Sequence, residues 1–123
     1  MATATLTLTT SGKNVLAKIL GAVSGSGQIL YMEVGTGVLS PSISTTSLTT
    51  ALSPRVLTVN SVAGSSLSCD GFWTNSQVNG TIIEVALWTA LTGGTLIASG
   101  VISPSIVKTS AQVLTITATV TLA

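Results

Sequence analysis

The chain has seven charged side chains, Glu33, Asp70, Glu84, Lys13, Lys18, Arg55 and Lys108, together with one thiol, Cys69, and no histidine. General acid–base catalysis needs titratable groups held in concert at a reacting bond. The three carboxylates are scattered, and nothing in their spacing builds a working pair. A metal centre needs several imidazole or thiolate ligands, and one cysteine cannot supply them. The glycine stretches "SGSG" (24–27) and "GTG" (35–37) are not followed by the lysine and helix start of a phosphate loop. We therefore expect no enzyme, no cofactor and no metal. A lone cysteine forms no intrachain disulfide, and Cys69 is expected to be a buried, reduced thiol.

Three sets of residues remain as candidate sites. In "TIIEVALW" (81–88), Glu84 shares a strand face with Ile82, Ala86 and Trp88, so it is expected to be partly buried. A buried carboxylate needs a cation, and either Arg55 or Lys108 could form that structural ion pair. Trp73 and Trp88 each stand at a strand end, where they serve either the core or a partner surface. Thr3, Thr5, Thr7 and Thr9 alternate with Ala4, Leu6 and Leu8, leaving a row of hydroxyls on one face. Ranked threonines of this kind could order water and bind ice, but such surfaces are normally built by a short repeat, which is missing here. Threonine also suits any exposed strand face.

The elements that must position these residues are mostly strands. Residues 3–9 alternate with period two. "TSGKNVLAKILGA" then places Val15, Leu16, Ile19 and Leu20 at helical spacing. Thr10 or Ser11 can cap this helix, expected over about 11–21, with Gly21 at its end. After the "SGSG" link comes the strand "QILYMEV". Residues 38–54 hold Pro41, Pro54 and many hydroxyls, and read as a long ordered loop with one short helical turn near Thr46 to Leu52. "RVLTVNSV" pairs through "AGSS" with "LSCDGFW" as a hairpin. "TIIEVALW", "TLIASGVIS" and "VLTITATVTL" follow, with Pro104 breaking the ladder between the last two. The expectation is one domain, residues 1–123, mainly β. It is an antiparallel β-sandwich or open barrel of about seven strands with one short N-terminal helix.

Hydrophobic residues make up 46% of the chain and charged residues 6%, against about 25% charged in an ordinary soluble domain. Serine and threonine contribute roughly 30%, so much of the polar surface is hydroxyl. A net charge of +1 gives no footprint for nucleic acid. No run of about 18 apolar residues predicts a membrane helix, and 3% aromatics cannot form the girdles of a membrane barrel. No basic n-region with an apolar core marks a leader. A surface this poor in charge is expected to be covered by other subunits.

The ordered set "TTSGKNVLAKILG", "YMEVGTG" and "TTSL" ahead of Arg55, then "TIIEVALW", "GGTLIASG", "ISPSIVKT" and "VLTITATVTL", resembles a group of small tailed-bacteriophage virion structural proteins of tail-fibre-like or head-decoration type. The likeness runs over nearly the whole chain. The group often carries acids where this chain has Thr45 and Ala51. The resemblance thus implies that an acid partner of Arg55 is lost or is replaced by Glu84. It also implies a virion location after assembly in the host cytoplasm.

Residues 1–12 carry no acidic or basic side chain until Lys13, and residues 109–123 carry none at all. Bare strands at a sheet edge are templates for pairing with another chain. Either both ends are central in one sheet, or one completes a neighbour's sheet. The expected protein is a homo-oligomer, a trimer or larger, that contacts the major capsid protein or other virion proteins. The favoured role is a capsid decoration (cement) subunit bracing the head lattice. The alternative is a tail-fibre or baseplate module binding a host receptor through an exposed aromatic, with Trp73 the first candidate. A secreted ice- or surface-binding protein would require a leader.

Overall fold

The computed structural model describes residues 2–21, 29 and 31–121. Among these are nine strands and one helix: β1 (Ala2–Thr5), β2 (Thr7–Leu8), α1 (Thr10–Leu20), β3 (Tyr31–Gly35), β4 (Ala51–Leu57), β5 (Val59–Ala63), β6 (Ser66–Trp73), β7 (Gly80–Trp88), β8 (Leu96–Lys108) and β9 (Leu114–Thr121). They form a four-stranded sheet in the order β1-β9-β6-β5 and a five-stranded sheet in the order β2-β8-β7-β3-β4. The fold is mainly β and sandwich-like, without a closed barrel. The "SGSG" link lies outside the described residues.

Seven expected strands become nine because two of them bend from one sheet into the other. The N-terminal alternation is cut at Leu6, so β1 pairs with β9 and β2 with β8. "RVLTVNSV" is cut at Thr58, so β4 pairs with β3 and β5 with β6. A single polypeptide thus crosses between the layers on each flank of the sandwich, as at the corners of orthogonally packed sheets. The near-identical ends meet directly. β1 runs parallel to β9, with Thr3 opposite Thr117 and Thr5 opposite Thr119. Among the described residues this is the one parallel pair, the other ladders being antiparallel. β9 is central; β1 is an edge.

The inner faces supply the core: Met32, Val34, Cys69, Trp73, Ile82, Val85, Leu87, Ile97, Ile116 and Ala118 are almost completely buried. Leu114, Ile116, Ala118 and Val120 alternate inward along β9, with threonines between them. Gly71 leaves space that the Met32 sulfur and the Trp73 ring occupy, its absent Cβ being 2.8 and 3.1 Å from them.

Two expectations about boundaries are corrected. Thr9, rather than Thr10 or Ser11, caps α1, its hydroxyl accepting the Gly12 N–H at 2.9 Å. The loop ends at residue 50 instead of 54, and no helical turn forms over 46–52. Residues 51–54 instead enter β4, an edge strand where Pro54 can lack an N–H without breaking a ladder. Pro104 does not end β8, but the β7–β8 register slips there, from Glu84 opposite Val101 to Ile82 opposite Ile106.

Candidate functional site

Four of the seven charged residues, Glu33, Arg55, Glu84 and Lys108, hold the loop and turns in place. Glu84 is fully buried on the outer side of β7 beneath the loop 36–50. Its Oε1 accepts the Thr49 N–H at 2.8 Å, and its Oε2 accepts those of Thr50 at 2.7 Å and Gly37 at 3.1 Å. The expected ion pair of Glu84 with Arg55 or Lys108 does not form; three backbone donors satisfy the carboxylate where a cation was expected. Arg55 pairs with Glu33 instead, Nε to Oε2 at 3.1 Å. Its Nη1 donates to the carbonyls of Ala90 and Gly93, both at 2.8 Å. Lys108 is buried, and its Nζ donates to Asn79 Oδ1 at 2.8 Å and the Asn75 carbonyl at 3.1 Å, pinning the turn before β7.

Each carboxylate is therefore occupied as an acceptor. Glu33 takes the Trp88 indole N–H at 2.9 Å as well as Arg55, and Asp70 takes the Thr117 hydroxyl at 2.7 Å. Burial, and after it the neighbouring Asp70 charge, push the Cys69 thiol up to about 11. A protonated, enclosed thiol is a poor nucleophile. Among the described residues, no three histidine, cysteine, aspartate or glutamate side chains gather where a metal could bind.

The tryptophans are interior. Trp73 is fully buried and donates its indole N–H to the Pro54 carbonyl at 3.0 Å; Trp88 is buried under the Arg55 guanidinium. Of the two roles open to them, core or partner surface, both tryptophans take the core. The exposed aromatic is Phe72, one residue before Trp73. Strict alternation along "LSCDGFW" carried that signal: with Cys69, Gly71 and Trp73 inward, Asp70 and Phe72 must face out. The threonine row also divides. Thr5 and Thr7 are exposed, whereas Thr9 is fully buried, its hydroxyl bonded to the carbonyls of Leu96 at 2.8 Å and Ile97 at 3.0 Å. Thr3 contributes through its backbone position opposite Thr117.

What the fold leaves facing out is the second side of the four-stranded sheet. Register places Thr5, Thr119, Ser68 and Ser61 in one cross-strand rank, and Thr117, Asp70 and Val59 in another. A third joins Thr121 to Ser66, whose hydroxyls lie 3.1 Å apart. The fourth pairs Thr115 with Phe72, and the exposed Val113 directly precedes β9 at this end of the sheet. Asp70 is the one charged residue at these positions. Such a face has almost no ionic group to strip of water; Ser66 and Thr121 bond each other, and Thr117 bonds Asp70. Comparison of the chain with known protein families, curated proteins and solved structures finds no match.

Proposed function

We propose that this chain is a non-enzymatic structural subunit of a tailed-phage virion, a decoration or cement protein that lies on the head and braces its lattice. The observation that carries this reading is the nearly uncharged hydroxyl and apolar outer face of the β1-β9-β6-β5 sheet. The ordered motifs that resemble virion structural proteins supply the setting, and the face supplies the mode of binding. Burying it against capsomers gains about 25 cal/mol per Å2 of apolar surface, before the costs of association. Its threonine methyl groups and Phe72 provide that area. Bracing follows when one subunit spans a junction, since separating the capsomers then requires uncovering the face.

The tail-fibre reading loses its named contact, because Trp73 is enclosed. Copy number tests the proposal. Quantitative mass spectrometry of purified particles is expected to find hundreds of copies, with density for the chain on the outer shell in image reconstructions. A few dozen copies or fewer, or a position on the tail, overturns it.

A further inference from the structure

Four strands form the free edges of the two sheets, and they differ in how well they are guarded. β4 carries Pro54 and Arg55; β2 is two residues long; β1 is four. β5, Val59–Ala63, is five residues long, with no proline, glycine or charge, and all five residues are exposed. Val59 and Val62 are each 74% exposed. Among the described residues β5 pairs with β6 alone, so no described strand takes up the row of backbone donors and acceptors along its other side, although the Asn60 side chain donates to the Ile29 carbonyl at 3.0 Å. Natural sheets normally guard such a row with lysine, proline or a bulge. Water satisfies such groups one by one, whereas an added strand takes up the whole row at once.

We propose that β5 is a dimerisation edge, at which two copies pair β5 with β5, antiparallel about a two-fold axis. This rests on the expectation that the chain self-associates and names the edge involved, with two copies in place of the trimer or larger assembly expected from sequence. Centred on Ser61, the pairing sets Ser61 against Ser61, Asn60 against Val62 and Val59 against Ala63. No like charges meet, and each valine gains a cross-strand neighbour. An interface of this symmetry is self-complementary and closes at two copies instead of growing into a fibre. A foreign partner would be selected by complementary charge, and β5 offers none. The dimer also merges two four-stranded sheets into one of eight, so that the two hydroxyl faces become a single continuous surface. That doubles the area one unit can lay across a capsomer junction. The two terminal strands, either of which could have completed a neighbour's sheet, pair with each other as β1 and β9.

The test is sedimentation velocity across a concentration series of the full chain. A reversible dimer is expected, and Val59→Lys with Val62→Lys is expected to weaken it by about tenfold or more, because ammonium groups are brought together beside the axis. Circular dichroism of the variant shows whether the fold is kept. Ser61→Cys keeps the edge uncharged and is expected to give a disulfide-linked dimer on mild oxidation; enclosed Cys69 does not compete. A wild type that stays monomeric at millimolar concentration overturns the proposal, as does a dimer that survives both lysines or a Ser61→Cys protein that stays uncrosslinked. Copy number on the particle is read separately, so either proposal can fail alone.

Discussion

Trp88 donates its indole N–H to the Glu33 carboxylate across 2.9 Å inside the protein. Arg55 completes this arrangement from above, with its Cζ 3.8 Å from the Trp88 ring centroid and its Nε on the other Glu33 oxygen. One guanidinium thereby ties the edge strand β4 to β3, to β7 and to the turn at residues 90–93.

Arg55→Met removes the cation and leaves Glu33 enclosed with one donor. Breaking a buried pair from one side costs about 3 kcal/mol, and urea denaturation is expected to show a loss of that size. Arg55→Lys is expected to recover only part of it, because an ammonium cannot reach Glu33 and two carbonyls while stacking on an indole. Full recovery by lysine would mean that charge alone matters.

Glu84→Gln preserves shape but gives an N–H2 group to a site where three N–H donors converge. At least one donor loses its acceptor and another meets a like partner, at a cost of about 2–3 kcal/mol. The loop 36–50 is expected to become the first site of limited proteolysis. A cleavage pattern unchanged from the wild type would show that Leu48, packed with Ala86, Trp88 and Leu96, holds the loop without the carboxylate.

Gly12→Ala separates propensity from packing. Inside a helix, alanine is better than glycine by about 1 kcal/mol. Here the added Cβ would collide with the backbone carbonyl of Ile97, which cannot swing aside as a side chain can. The substitution is expected to lower stability by about 2 kcal/mol or more despite the helical gain. A raised melting temperature would refute the close approach of α1 to β8.

Cys69 predicts an alkaline limit. A thiol whose folded pKa lies near 11, above its unfolded range near 9, binds its proton more tightly when folded. Its contribution is complete below about pH 9 and is lost as pH rises towards 11, because the unfolded chain ionises first. The amount is on the order of 2 kcal/mol. Cys69→Ala is expected to flatten the stability profile over that window. An equally steep fall in the variant would assign the limit to other groups.

The β content and the single helix were legible because period two and period 3.6 survive in this sequence almost undisturbed; Val15 and the alternation of β9 are sufficient examples. The two sheet crossings were not. Nothing in the types of Leu6 or Thr58 marks a corner, since a strand that changes layers keeps its alternation while its hydrogen-bond partners change. Glu84 was correctly read as buried, but its partners were misread. A sequence shows where cations stand; it does not show that a loop will turn three amides towards one carboxylate. Arg55 and Glu33 lie on strands that become neighbours only once β3 and β4 pair. The tryptophans were judged by their place at strand ends, when alternation would have put Trp73 inside and Phe72 outside.

The side-by-side course of β1 and β9 also fixes how the protein bears mechanical load. Because these strands point the same way, tension that draws Ala2 and Thr121 apart slides one along the other. Their cross-links must then yield together, where an end-on pull on a hairpin would open them singly. A load applied at both extremities is therefore resisted as a rivet resists it, in shear.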